Sequence, residues 1–216
     1  MAAPDRFDEQ LRALALVEEE RRAGAVFFEA VARGLVAPGR SEREVENLVS
    51  SLARELSGPR VRPPLPVVRS GPHTLLPPGR EPAVDRLLDE DDVVVVALGA
   101  DFARTLVLGG DPARRRLLDD LPAVYGAARE AYRADPALTG RHLHAELAAR
   151  ASKAGWTLAD TPCAHLAGTA DHPSPDTPLH RTTPDGWRAR WTLTLHLTTP
   201  TADFAGTYTR PLNPTG

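Results

Sequence analysis

Two histidines, His165 and His172, stand seven residues apart in the stretch PCAHLAGTADHPSP, with a glycine and other small residues between them. An imidazole can bind a metal ion, move a proton or donate a hydrogen bond to a substrate, so the pair is a candidate site. Two histidines can equally be ordinary polar residues of a folded chain. Cys163, the only cysteine, is typical of a small packed residue and has no partner for an intrachain disulfide. The chemistry of this stretch therefore depends on what the rest of the chain brings to it.

The composition is that of a soluble globular protein. Of the 216 residues, 42% are hydrophobic and 25% are charged, which predicts one domain over residues 1–216. The net charge of −3 gives no overall field that attracts nucleic acid or an anionic membrane, so neither is an expected partner. No basic start is followed by an apolar segment, and no apolar run approaches the roughly 20 residues of a membrane span. The expectation is a cytoplasmic protein.

The first half of the chain begins with helical patterns. Apolar residues at helical spacing predict a helix over residues 4–34. Ser41, followed three residues later by Glu44, forms a capping box that predicts the start of a second helix, and Gly58 predicts its end. The proline-rich loop that follows holds a short strand near Val67 and Val68. Loops of this length in compact domains are often functional.

The second half alternates strands with helices. The run DDVVVVALGADFARTLVLGGD predicts two strands joined by a tight turn at Gly99 and Ala100. Helices are predicted over residues 112–134, with a bend at Pro122, and over residues 139–155. The alternating segments WRARWTLTLHLTTP and DFAGTYTR then predict paired strands. This order favours an α+β fold in which helices cover one face of a curved antiparallel sheet.

Taken in order, these segments resemble the family of creatinase, aminopeptidase P and methionine aminopeptidase, whose fold is called pita-bread. RSGPHTLLPPG resembles the loop before the first metal-binding strand, and DEDDVVVVALGADFARTLVLGGDP resembles the paired metal-binding strands. AHLAGTADHP resembles the family's segment with two histidines, and WTLTLHLTTP lies where the family has a strand with a glutamate. The resemblance covers nearly the whole chain and implies the pita-bread fold, a metal-dependent hydrolase and the possibility of a homodimer.

The resemblance also assigns residues to the family's site, which holds two metal ions through two aspartates, one histidine and two glutamates. It implies that His165 is a metal ligand and that His172 contacts the substrate as a catalytic residue. Asp101 matches the second aspartate. The first aspartate falls on Ala97, and the first glutamate falls on His196. Because the final strand has no glutamate either, a site for two metal ions is not expected.

Three matching residues remain that could hold a single metal ion. Asp101, His165 and His196 supply one carboxylate and two imidazoles, a set that suits one divalent ion of iron, zinc, manganese or cobalt. His73, in the loop before the metal-binding strands, and Arg104, close to Asp101, are assigned to the substrate side by the same resemblance. A structural ion pair of Arg104 is the alternative.

Three functions stay open at this point. The first is a single-metal hydrolase of a small amide, an amino-acid derivative or a short peptide, rather than a general aminopeptidase. The second is a redox or lyase enzyme with one non-haem iron on the same three ligands. The third is a catalytically silent pita-bread domain that binds a small molecule or a partner in the old cleft.

Overall fold

The computed structural model describes residues 6–58, 61–77, 80–161, 163–169, 172–180 and 189–212, and within them it has four α-helices and seven β-strands. The helices are α1 (Arg6–Ala32), α2 (Glu42–Ser57), α3 (Pro112–Ala134) and α4 (Gly140–Lys153). The strands are β1 (Pro66–Ser70), β2 (Val93–Leu98), β3 (Ala103–Val107), β4 (Thr157–Leu158), β5 (Ala164–Leu166), β6 (Trp191–Thr198) and β7 (Ala205–Pro211). A short 3-10 helix, Gly71–Leu75, follows β1. None of the described helices combines the length and apolar character needed to cross a membrane.

The helix ends lie where their capping residues predict. The Ser41 side chain accepts a hydrogen bond from the Glu44 backbone N–H at 3.1 Å and begins α2, which confirms this half of the predicted capping box. Gly58 ends α2 with a φ of 73°. Thr139 caps α4 through the backbone N–H of His142. These side chains satisfy backbone groups that the first and last turns of a helix leave without partners.

All described strands belong to one antiparallel sheet in the order β1-β2-β3-β7-β6-β4, with β5 also paired to β6. The longest ladder joins β6 to β7, from Thr192 opposite Pro211 to Thr198 opposite Ala205. The predicted hairpin of β2 and β3 forms, with Ala97 opposite Ala103. The α+β class predicted from the sequence is confirmed.

The strand register shows that all four helices cover the same face of this sheet. Residues directly opposite each other in an antiparallel pair point to the same face. Val96 therefore shares a face with Arg104 of β3, and Leu195 shares that face with Tyr208 of β7. Helices α1 and α2 pack on the β1–β2 end of this face, and α3 and α4 pack on the β6–β7 end. The opposite face, which we call the helix-free face, carries Ala97, Ala103, Thr105, His165, Thr192, Thr194, His196, Thr207 and Thr209.

Gly206 provides a test of the tight packing between α3 and the sheet. A Cβ at Gly206 would lie 2.6 Å from Leu117 Cδ2 and 2.9 Å from Leu121 Cδ1, and both leucines are fully buried. We expect Gly206→Ala to lower the free energy of unfolding by about 1–3 kcal/mol, because neighbouring side chains must leave their rotamers. Equilibrium urea unfolding measures the change.

The matched control is Gly126→Ala in α3, where a Cβ meets nothing within 4 Å. Alanine is a better helix former than glycine by about 0.5–1 kcal/mol, so this variant should be more stable than the native chain. Equal stability of the native chain and Gly206→Ala would show that α3 packs less closely on β7 than described.

Candidate functional site

Asp101 lies in the turn between β2 and β3 and fastens this turn to the strands of the second half. Its Oδ2 accepts a hydrogen bond from the Gly168 backbone N–H at 2.6 Å. Its Oδ1 accepts one from the Thr192 hydroxyl and another from His165 Nε2, at 3.3 Å. Burial raises the pKa of Asp101, but the hydrogen bonds from His165, Thr192 and Gly168 outweigh it, and the pKa lies below its ordinary value. Both carboxylate oxygens are therefore occupied by donors of the chain itself.

The two histidines of the opening stretch lie together beside Asp101. His165 is buried on β5, directly opposite Thr192 of β6. The rings of His165 and His172 meet edge to face, with centroids 5.6 Å apart. His172 Nδ1 donates to the carbonyl oxygen of Ala164 at 3.3 Å. The structure thus brings together three of the residues singled out from the sequence: Asp101, His165 and His172.

His196 is not part of this group. It faces the same side of the sheet but lies four residues beyond Thr192 on β6, a displacement of about 13 Å along an extended strand. Its Nδ1 is hydrogen-bonded to the Thr207 hydroxyl at 2.9 Å, and burial lowers the pKa of its imidazole. Across the described residues, no three metal-ligating side chains are grouped closely enough to hold an ion. The predicted set of Asp101, His165 and His196 is therefore not assembled, because the spacing along β6 separates its third member from the other two.

Small and hydroxyl side chains occupy the helix-free face next to Asp101 and His165. In the strand register Ala97 stands opposite Ala103, Ala103 opposite Thr209, and Thr209 opposite Thr194. The hydroxyls of Thr194 and Thr209 are hydrogen-bonded to each other at 3.0 Å. We call these four residues the cross-sheet row. It carries no carboxylate and no imidazole.

Thr192, Thr194 and Gly168 were not among the residues predicted from the sequence. The alternation in WTLTLHLT does indicate that Thr192 and Thr194 share a face with His196. It does not indicate which of the three lies beside His165, because that depends on how β5 pairs with β6.

His73, in the 3-10 helix after β1, is held in a buried polar network at the start of α2. Its Nδ1 donates to Glu42 Oε2 at 2.7 Å, and Glu42 Oε1 accepts hydrogen bonds from the backbone and hydroxyl of Ser70 at 2.5 and 2.9 Å. Glu42 is only 3% exposed. Thr74, the next residue, accepts a hydrogen bond from the Ala205 N–H and ties the 3-10 helix to β7. His73 Nε2 has no partner among the described residues, so it is available to a ligand.

Arg104 lies on the helix-covered face, away from His165 and the cross-sheet row. Its guanidinium stacks between the rings of Phe102 and Tyr208, at 4.3 and 4.2 Å from their centroids. It donates to the carbonyl oxygens of Ala103 and Thr209 at 2.9 and 2.7 Å. Burial lowers its pKa. Arg104 faces away from His165 because its neighbour Ala103 lies on the helix-free face and adjacent residues of a strand point to opposite faces. Its contact with a substrate stays a prediction.

The order of these elements matches a known family over most of the chain. The profile of metallopeptidase family M24 matches residues 16–201. The chain belongs to metallopeptidase family M24. No curated protein sequence matches it at a significant level.

Solved structures of M24 peptidases share its fold. Prolidase from Pyrococcus furiosus superposes with a TM-score of 0.72 at 20% identity over 95% of this chain. X-Pro aminopeptidase from Thermotoga maritima MSB8 does so with a TM-score of 0.68 at 19% identity, again over 95% of this chain. Icp55 from Saccharomyces cerevisiae, bound to the inhibitor apstatin, has a TM-score of 0.62 at 16% identity and 89% coverage. The chain spans 64%, 61% and 54% of these structures, less than two thirds of each. The predicted pita-bread fold is confirmed.

The residues of this M24 site do not fit a pair of metal ions. Members of the family typically bind divalent metals. Two dications a few ångströms apart must be bridged and neutralised by several carboxylates. Asp101 is the only carboxylate at the described site, and its two oxygens already accept three hydrogen bonds. The cross-sheet row beside it is neutral.

The lowered pKa of Asp101 predicts a pH-dependent contribution to stability. We expect Asp101→Asn to lower the free energy of unfolding at pH 7 by about 1.5–3 kcal/mol, because hydrogen bonds to a charged group are lost. The contribution of Asp101 is complete above the unfolded pKa of about 3.9 and disappears as the pH falls through the lower folded pKa. The stability difference between the variant and the native chain should therefore shrink from pH 5 downward.

Urea unfolding of both chains at several pH values measures this difference. Asp119→Asn, at an exposed position of α3, is the matched control and should change stability little at any pH. A difference that stays constant down to the acid limit of folding would show that the Asp101 carboxylate is not ionised in these hydrogen bonds.

Proposed function

We propose that this M24 chain is a binding domain that holds a short peptide-like molecule against the helix-free face and has no metal-pair peptidase chemistry. The cross-sheet row of alanine and threonine beside Asp101 and His165 carries this proposal. A metal pair held there would lack the carboxylates that bridge it. A peptide-like ligand is proposed because the structural relatives are named as prolidases and an X-Pro aminopeptidase.

The polar groups of the helix-free face suit an uncharged peptide backbone. His196 engages Nδ1 with the Thr207 hydroxyl and has no described partner for Nε2. Hydrogen-bonding groups of this kind match the N–H and C=O groups of a peptide, and a few such groups are enough to fix a ligand's orientation. Fixed rings are also favourable because little side-chain freedom is lost when the ligand binds.

Metal binding tests the proposal from two sides. Protein purified without an affinity tag or added metal should contain far less than one equivalent of metal by elemental analysis. The triple variant Ala97→Asp, Thr194→Glu, Thr209→Glu places carboxylates along the cross-sheet row and should gain saturable binding of Mn²⁺ or Co²⁺ in calorimetry. The isosteric neutral variant Ala97→Asn, Thr194→Gln, Thr209→Gln is the control and should gain none.

A second candidate is the single-metal hydrolase, which the contact between Asp101 and His165 and the nearby ring of His172 favour. One divalent ion of zinc, manganese, cobalt or iron would then be held by Asp101 and His165, and it would supply a water of lowered pKa. About one equivalent of metal in the native protein, lost in His165→Ala, would replace the binding proposal with this one. If His196→Ala retains the metal, His196 is not the third ligand. Iron as the bound metal would favour the redox or lyase alternative.

Ligand binding provides the direct test. The tripeptide Ala-Pro-Ala should bind the native chain saturably in calorimetry, and His196→Phe should weaken it by about fivefold, because one neutral hydrogen bond is lost. His142→Phe is the control, since His142 lies on α4, outside the helix-free face. Binding that is equal in native protein and His196→Phe, or absent in both, would contradict this assignment of the helix-free face.

A further inference from the structure

A cavity lies on the helix-covered side of the sheet, with the turn between β2 and β3 at one end. It has a volume of about 330 Å³ and is enclosed by α1, by α2, by residues 61–64 and by the turn between β2 and β3. This size is at the lower end of pockets that bind small molecules, which run from about 300 to 1,000 Å³. We call it the α1–α2 pocket.

The interior of the α1–α2 pocket is apolar. Five side chains from the two helices and the hairpin line it: Ala23, Val26, Ala53, Leu98 and Phe102. Val26, Ala53, Leu98 and Phe102 also belong to the hydrophobic core between α1, α2 and the sheet. Because the walls are parts of packed elements, the cavity keeps its shape without a ligand. An apolar body that enters it leaves water for a preformed apolar surface.

Two arginines lie at the rim of this pocket. Arg22 uses its Nε for Glu18, at 3.0 Å, and Arg62 has no hydrogen bond or ion pair among the described residues. The rim also carries Glu19 and Glu20. Glu20 is neutralised by Arg210, at 2.6 Å, and Glu19 is exposed to solvent. Arg62 is therefore the rim cation without a described counter-ion, whereas Arg22 shares Glu18 with Arg21 and has no described partner for its two terminal nitrogens.

We propose that the α1–α2 pocket binds a small amphipathic carboxylate, a molecule with an apolar body and a single carboxylate group. The apolar body lies on Val26, Ala53 and Phe102, and the carboxylate lies at the rim with Arg22 and Arg62. Guanidinium groups match a carboxylate in both geometry and charge. This site is distinct from the proposed peptide-binding face in its apolar lining, although Asp101 and Gly168 lie at the inner end of the pocket and also beside that face.

The pocket also contacts the turn that carries Asp101. Gly99, Ala100 and Asp101 form its inner end, together with Gly168, whose N–H donates to the Asp101 carboxylate. A ligand in the pocket therefore packs against the fastened hairpin turn and should stabilise the folded chain in proportion to its occupancy.

Binding of octanoate tests the proposal. Calorimetry and thermal unfolding should show saturable binding of octanoate, with a Kd of about 0.1–1 mM for a ligand of this size. Octanol and octylamine, with the same chain and no carboxylate, should bind about two- to fivefold more weakly, since an exposed ion pair contributes up to about 1 kcal/mol. The affinity of 3-phenylpropanoate, compared with that of octanoate, shows whether the pocket prefers an aromatic or an aliphatic body.

Variants locate the site. Arg62→Gln and Arg22→Gln should each weaken octanoate by about two- to fivefold, and Ala23→Phe should abolish binding by filling the cavity. Arg54→Gln is the matched control, an exposed arginine of α2 outside the pocket, and should leave binding unchanged. The proposal is overturned if octanoate does not bind saturably, if octanol binds as tightly, or if the Arg22→Gln, Arg62→Gln double variant binds like the native chain.

Discussion

The arrangement of the site depends on the hydrogen bonds that the Asp101 carboxylate accepts. It lies in a turn at the end of a two-stranded hairpin, and its three donors come from β5, from β6 and from the turn after β5. Asp101 is half-buried, and its hydrogen bonds offset the loss of water, so this residue specifies where the hairpin must end relative to the second half of the sheet. The positions of His165 and of the cross-sheet row follow from it.

This arrangement also explains how the fold tolerates the loss of metal ligands. Several carboxylates in one cleft repel one another unless cations lie between them. Here the sheet positions next to Asp101 hold alanine and threonine, and the hydroxyls of Thr194 and Thr209 satisfy each other. The cross-sheet row therefore adds no negative charge to that of Asp101. On the proposal that the helix-free face binds a peptide-like molecule, these residues need no cation to balance their charge.

The fold could be predicted because the sequence patterns that indicate it are either local, such as a helix cap, or spread along the whole chain, such as the order of segments. The cap at Ser41 is a property of four consecutive residues, and the order of segments identifies the family. The site could be predicted only in part. Asp101 and His165, which the sequence singled out, lie in hydrogen-bonding contact. Alternation along β6 cannot distinguish Thr192 or Thr194 from His196, because all three share a face. The pairing register decides between them, and it depends on contacts distant in sequence.

The hydrogen bonds of Asp101 also set an order of events during synthesis of the chain. Thr192 follows Asp101 by 91 residues, and Thr209 of β7 follows its neighbour Ala103 by more than one hundred. Contacts of such separation form slowly, since a long loop must close first. The pairing of β2 with β3 is local, so it can form before these distant contacts do. Until β5 and β6 have been made, the Asp101 carboxylate in the turn between β2 and β3 is hydrogen-bonded to water instead of to the chain.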